Sequence, residues 1–397
     1  MLKSKVGYSM NEDSFQSGAA TAKNASLGKD TKLSFLFSSC NYDVKEVVKG
    51  AKSVTDAPII GCTSSGGIIV PEGIVTSSTG FSGMMSISDN DLTVGVACHE
   101  AGKNARQIGR KVALEAVANA KTDMAPSHFY MVASPKEEEE YLMGIQDVIG
   151  RVPFFGGSAA DDTVEGNWKI ICEDKVFTDG VAVAFFYTQN DILTEYTGAY
   201  RETSNAGLIT EVKDDRTLVT IDGVSALTKY ANWIGVSPRD LKGQNLLSAS
   251  ITRPLGVKDP LGNLTVIRHP MFGNDMGTKT TDDDTITLGN KAVEKTAIIQ
   301  LEATVDELID STGNTLKELR KNLTTDISEP AAYLLIHCGG RKLGIGDRLN
   351  EVHKQLVRES KDVPFICAFT FGEYGYSNHS ANACGGLMLS FTGFSKE

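Results

Sequence analysis

LSFLFSSCNYDVKEVVKGAKSVTDAPIIGCTSSGG, Leu33 to Gly67, is the stretch on which the fold turns. Leu33 to Ser38 is an apolar strand that closes on Ser39-Cys40. Val44, Val47, Val48, Ala51 and Val54 then recur at helical spacing and give one apolar face. Pro58-Ile59-Ile60 starts a second strand, which breaks at the small residues Gly61-Cys62-Thr63-Ser64. Two strands joined through a helix lie parallel with a right-handed crossover, so this stretch predicts an α/β unit.

The same order returns twice. His128 to Val132 is followed by a helix face of Tyr141, Leu142, Ile145, Val148 and Ile149, and Pro153-Phe154-Phe155 leads into Gly156-Gly157-Ser158-Ala159. Tyr333 to Ile336 runs into His337-Cys338-Gly339-Gly340, then a stripe of Ile345, Leu349, Val352 and Leu356, then Pro364-Phe365-Ile366 and Phe371-Gly372-Glu373. A further strand follows each break: Thr79 to Ile87, Gly180 to Tyr187 and Gly385 to Phe391. The second and third units share a preceding strand (Leu92 to Cys98; Thr296 to Leu301) and helix (Asn104 to Ala120; Val305 to Leu323). The later helix opens on the capping box Thr304-Val305-Asp306-Glu307. Leu92 to His128 and Thr296 to Ala332 both span 36 residues by subtraction, which reads as a duplicated half. Between the halves, Asn190 to Asn290 has short strands, Gly, Pro and acidic turns, with Leu218 to Gly223 a strand entering a turn and Ser225 to Trp233 a short helix. The expected fold is mixed α/β (α+β): two related halves with mixed sheets flanked by helices, joined by a β-rich segment, with a boundary between Gln189 and Thr203.

Composition sets the class of partner. At 397 residues, 41% hydrophobic and 22% charged, the chain reads as a globular protein of two domains. A net charge of -11 with no Lys/Arg run argues against nucleic acid. No apolar run reaches the roughly 18 residues of a membrane span, and the N-terminus lacks a signal-peptide centre, so a cytoplasmic protein is expected. Seven cysteines without CxxC spacing fit neither a disulfide framework nor a zinc ribbon.

The strand-end loops carry the candidate chemistry. GCTSSGG has Gly67-Ile68 where a phosphate loop needs Lys and a hydroxyl. GxGxxG is absent after each strand, and no Ser has the flanking glycines of a nucleophile elbow. A Cys62 nucleophile would need a His folded alongside, and His99, His128, His269, His337, His353 and His379 lie in no catalytic motif, so no enzyme is expected. Cys62, Thr63, Ser64, Ser65 and Gly66, with Gly157, Ser158, Asp161 and Asp162, fit a ligand-lining role, because strand ends of α/β sheets collect ligands. A strand-ending turn is the competing reading for each loop alone. Arg268 and Arg341 are candidates for binding a carboxylate, and Gly372-Glu373 follows a buried strand and needs a polar partner. The run Glu137 to Glu140 reads as a solvated helix face.

At these residues the sequence resembles the FIST family, named for F-box and intracellular signal transduction proteins. Its N-terminal region is suggested by Ile60 to Ile68 and by Phe154 to Asp162. Its C-terminal region is suggested by Ile221-Asp222-Gly223 with Ala226 and Tyr230, by Pro254-Leu255-Gly256-Val257, by Cys338 with Arg341, and by Phe371-Gly372-Glu373. One departure stands out: the family's His-Asn-x-Thr tail is broken here, with His379 apart from Asn382 and Cys384 near the expected Thr.

The resemblance implies FIST N-terminal and C-terminal domains over 1–195 and 196–397, and a sensory module for a small ligand, an amino acid or related metabolite. The output would pass to a signalling partner such as a histidine kinase. Some free-standing bacterial members bind haem and sense nitric oxide, which would need an axial ligand such as His99 or His337 here. An enzyme using Cys62 or a nearby Ser is the third class.

Overall fold

The computed structural model describes residues 1–258, 265–325, 328–376 and 381–397, so His379 lies outside the described residues. The first unit comprises β1 (Lys3–Ser9), α1 (Ser14–Asn24), β2 (Leu33–Ser38), α2 (Val44–Lys52), β3 (Ile59–Thr63), β4 (Ile68–Val70), β5 (Gly73–Val75) and β6 (Ser82–Ser88). The second repeats it with β7 (Thr93–Glu100), α3 (Ala105–Ala120), β8 (His128–Ala133), α4 (Glu138–Ile149), β9 (Phe154–Ser158), β10 (Ile170–Cys172), β11 (Lys175–Phe177) and β12 (Gly180–Tyr187).

The third unit begins with β13 (Ile192–Thr197) and is then interrupted. The interruption holds β14 (Arg201–Lys213), β15 (Thr217–Ile221), β16 (Val224–Ser225), α5 (Ala226–Ile234), α6 (Pro238–Leu241), α7 (Leu247–Ser250), β17 (Leu255–Lys258), β18 (Thr265–Arg268), β19 (Pro270–Asn274), β20 (Thr285–Leu288) and β21 (Ala297–Glu302). The unit resumes with α8 (Val305–Leu323), β22 (Pro330–Cys338), α9 (Gly339–Ile345), α10 (Leu349–Ser360), β23 (Phe365–Thr370), β24 (Glu373–Gly375), β25 (Ala383–Gly385) and β26 (Leu389–Ser395).

Among the described residues, each unit builds one six-stranded mixed sheet with the same internal order: β1-β6-β2-β3, β7-β12-β8-β9 and β13-β26-β22-β23. The central pair is parallel in each, as the helical connection requires: Ser34 opposite Ile59, Phe129 opposite Phe154, Tyr333 opposite Phe365. The remaining two strands of every sheet are borrowed. Hairpin β4-β5 of the first unit joins β23 of the third, β10-β11 of the second joins β3 of the first, and β24-β25 of the third joins β9 of the second. The three units are thus linked in a ring by exchanged hairpins.

Alternation along the strands explains the packing. Phe35 and Phe37, Tyr130 and Val132, Leu334 and Ile336 face a shared central core, while their sequence neighbours Leu36, Phe129 and Leu335 face each unit's own helices. The hub of that core draws on all three units: Phe35 lies 5.1 Å from Tyr130 and 6.3 Å from Phe394 between ring centroids, and Phe155 lies 5.9 Å from Phe394. Each such ring contributes about 1.5–3 kcal/mol by burial.

The mixed α/β halves and the β-rich segment match expectation. The segment Arg201 to Glu302 forms its own antiparallel sheet. Asn104 and Thr304 cap their helices, and Glu307 closes the capping box. Two readings are corrected. The strand Thr296 to Leu301 does not correspond to Leu92 to Cys98: as β21 it pairs with β14 and β17, and β13, paired with β26, takes the place that β7 has beside β12. The equal 36-residue spacing is coincidental. The run Glu137 to Glu140 is not a solvated face: Glu138 is 2% exposed, because Arg216 and Asn290 from the antiparallel segment cover it.

Candidate functional site

The strand-end breaks of the three units meet and hydrogen-bond to one another. Ser65 N donates to Phe369 O at 3.0 Å, and Phe369 N donates to Ser64 Oγ at 2.9 Å. Ser158 N donates to Gly372 O at 2.8 Å and Phe371 N to Ser158 O at 3.2 Å. Ala160 N donates to Thr63 O at 3.1 Å, and Lys169 N to Thr63 Oγ1 at 2.8 Å. Every pair of units is therefore tied, and Gly157 permits the approach, since a Cβ there would lie 2.6 Å from Gly372 O.

The inner residues of these breaks are committed to the junction. Cys62, Thr63, Ser64 and Ser158 are buried. Burial pushes the Cys62 thiol up, away from the nucleophilic thiolate. Ser64 Oγ donates to Gly67 O at 2.6 Å, and Ser158 Oγ meets Tyr374 OH at 2.7 Å. Asp161 is 0% exposed, and its carboxylate accepts backbone N–H groups from Thr163, Val164, Glu165, Gly166 and Asn167.

The outer residues face the rim. Asp162 is exposed, and its carboxylate accepts from Gly66 N at 2.7 Å and from Asn41 Nδ2 at 3.3 Å. Lys342 on α9 reaches the same loop, donating from Nζ to Ser65 O at 2.8 Å over the Phe369 ring. Gly66 has φ +61°, and a side chain there would collide with the Lys342 amine. Beside the rim lies a cleft of about 680 Å³ between the first and second units, lined by Asn41, Asp43, Lys45, Asp162, Glu165 and Lys169 among others. Cys40 also lines it, with its thiol pushed up by burial and by the nearby Asp162 and Asp161.

Glu373 and Arg341 lie behind the junction, both 0% exposed. Glu373 accepts from Thr370 Oγ1 at 3.0 Å and Met388 N at 2.9 Å, and burial raises its carboxyl to about 8. Arg341 donates to Gly198 O at 2.7 Å, Leu308 O at 3.0 Å and Ser311 Oγ at 2.5 Å, fastening α8 to the chain leaving β13. Arg268 donates to Cys384 O at 3.3 Å. Both arginines clamp backbone, away from the cleft. Lys342, Lys169 and Asn41 are candidate site residues that sequence reasoning missed, because none lies in a motif and Lys342 differs from its neighbour Arg341 only in where the fold points it.

Neither axial candidate fits a haem as placed. His337 is 0% exposed, with Nδ1 3.0 Å from Cys338 O, Nε2 3.5 Å from Thr312 Oγ1 and its ring against Phe369 at 5.4 Å. Burial and Arg341 push it down to about 3. His99, on the outer strand β7, has Nε2 2.8 Å from Glu115 Oε2.

The FIST N domain model matches residues 32–224 and the FIST C domain model residues 226–376. The chain belongs to the FIST family. FIST domains are associated with signal transduction and small-ligand sensing. No curated protein sequence matches the chain. Among solved structures, a cyanuric acid hydrolase from A. caulinodans aligns over 99% of both chains at 7% identity and a TM-score of 0.34. PurL from T. maritima, complexed with ADP, aligns over 99% of this chain and 72% of that one at 8% identity and a TM-score of 0.24. Likenesses this weak decide neither fold nor chemistry. Among the described residues, no FIST helix here is long and apolar enough to cross a membrane.

Proposed function

We propose that this FIST chain is a cytoplasmic sensory protein that binds a small zwitterionic metabolite, an amino acid or a close relative, in the cleft beside the strand-end junction. The observation that carries the reading is the charge lining of that cleft: Asp162 and Glu165 with Lys45 and Lys169, in a space of about 680 Å³. Carboxylates of that kind accept from a ligand ammonium, and the lysines donate to a ligand carboxylate.

The signal arises where the ligand meets Asp162. That carboxylate already holds Gly66 of the first unit, so a competing ammonium shifts the tie between two units, and a partner such as a histidine kinase reads the shift. Thermal-shift screening with the amino acids and simple carboxylates tests this. At least one is expected to stabilise the protein at millimolar concentration, and Asp162→Asn is expected to remove the effect. No stabilisation by any of them, or full stabilisation of Asp162→Asn, would overturn the reading.

A further inference from the structure

Two of the seven cysteines meet across the central core. Val94, Val96 and Cys98 alternate toward that core from β7, the edge strand of the second unit's sheet, while Ala97 between them packs with the second unit's helices. Ile170 and Cys172 alternate toward the same core from β10, while Ile171 between them packs with the first unit's helices. The two strands thus bring the Cys98 and Cys172 side chains together, and the thiols share a hydrogen bond.

The strands belong to different sheets. β7 lies in the second unit's own sheet, with Cys98 opposite Ala182 of β12. β10 is one of the exchanged strands, and it places Cys172 opposite Ile60 of the first unit's β3. Access differs as well. Cys172 is 1% exposed, whereas Cys98 is half-buried, two residues before the exposed Glu100 at the end of its strand.

We propose that Cys98 and Cys172 are an oxidation site for a hydroperoxide, closing reversibly to a disulfide that ties the exchanged hairpin β10-β11 to the second unit's sheet. The Cys98 thiolate attacks one oxygen of ROOH and the O–O bond breaks. The leaving oxygen takes up the proton that Cys98 gave up and departs as ROH, and Cys98 becomes a sulfenic acid. The Cys172 sulfur then bonds to the Cys98 sulfur, the S–O bond breaks, and hydroxide leaves as water with the Cys172 proton. The sum is two thiols plus ROOH giving a disulfide, ROH and water: the sulfurs lose two electrons and the peroxide gains them. A dithiol reverses the reaction by exchange.

The division of labour follows from the surroundings. The hydrogen bond from Cys172 and the Lys175 ammonium hold Cys98 below the usual thiol range, against the opposing effects of burial and of the Glu173 and Asp174 carboxylates. Cys172, which gives that hydrogen bond and is buried, is pushed up and stays a thiol. An accessible nucleophile therefore stands on a protected resolving thiol. The same hairpin carries Val176 and Phe177 into the wall of the cleft, so the disulfide also fixes that wall.

Peptide mass spectrometry of the full-length protein, reduced and then treated with hydrogen peroxide, tests the pair. Cys98 and Cys172 are expected in one disulfide-linked peptide, restored to thiols by dithiothreitol, with Cys98 consumed about tenfold faster than Cys40, the other thiol that is not buried. In Cys172→Ala the resolving thiol is gone, so the sulfenic acid should persist at Cys98 and be captured by dimedone; Cys98→Ala should give neither product. Hydrogen exchange supplies a second reading. The amides of Ile170 to Cys172 are expected to exchange about tenfold more slowly in oxidised than in reduced protein, and equally in the two states of Cys98→Ala. A disulfide joining any other pair of cysteines or two copies of the chain, Cys40 reacting first, or no dimedone adduct on Cys98 of Cys172→Ala overturns the proposal. None of these readouts uses a metabolite, so they stand or fall apart from the amino-acid screen of the cleft.

Discussion

Replacing Asp161 by Asn keeps the shape of the side chain and removes one acceptor face. In the parent, Oδ1 accepts from Thr163 N and Val164 N, and Oδ2 from Glu165 N, Gly166 N and Asn167 N. An Asn must point its NH2 at one of these two sets of donors, so at least two hydrogen bonds to a charged group are lost. At about 1.5 kcal/mol each that is a floor of ~3 kcal/mol for opening the 161–167 loop. Hydrogen exchange reads this directly: ~3 kcal/mol corresponds to about a hundredfold loss of protection at the amides of 163–167. Because Asp162 and Lys169 flank that loop, any amino-acid stabilisation should weaken in parallel. Protection within threefold of the parent at those amides would refute the assignment of Asp161 as the loop's anchor.

Other expectations follow from the same geometry. Gly66→Ala forces a left-handed conformation on a residue with a side chain and displaces the Lys342 amine, and should cost ~1 kcal/mol or more in urea unfolding. Glu373 has a folded-state value of about 8, above its unfolded value near 4.5, so the native state holds the extra proton between them. Stability contributed there is full at low pH and is lost as pH rises toward 8; unfolding measured across that range should show the decline, and Glu373→Gln should flatten it. Arg216→Ala strands the buried Glu138 without its cation, and an uncompensated buried charge costs about 3–5 kcal/mol, measurable by chemical denaturation. Arg341→Met should loosen α8, seen as faster proteolysis near Val305 to Leu308, because Gly198 O loses its donor.

The strand–helix–strand core of each unit was legible because its signals are local: apolar alternation, a helical stripe and a proline at the second strand. The capping box at Thr304 was legible for the same reason. Pairing between distant segments leaves no such mark. Ile192–Thr197 and Ala297–Glu302 are similar six-residue runs, and only the fold shows that the first lies beside Phe391 and the second in a separate sheet. The first unit's β1 and α1 leave no periodic signal, because KSKVGYS and SFQSGAATAKN carry little apolar contrast. The convergence of GCTSSGG, GGSAADD and FGE was expected from their equivalent positions. That most of their hydroxyls would be spent on the junction was not, since hydrogen-bond partners more than two hundred residues away, such as Ser158 and Tyr374, cannot be read from spacing.

The hairpin exchange sets the order in which the chain can acquire structure as it is synthesised. Hairpin β4-β5, complete by Val75, has its sheet neighbour at Phe365–Thr370, almost three hundred residues later. Until that strand emerges, the first unit presents an apolar hairpin with nowhere to dock, and its own β3 waits for Ile170–Cys172. Closure of the ring thus waits until β23 and the β24-β25 hairpin have both emerged. A ribosome-stalled or truncated product that stops before Phe365 would leave an unpaired edge and an exposed aromatic hub, a species for chaperones or proteases and not a smaller folded protein.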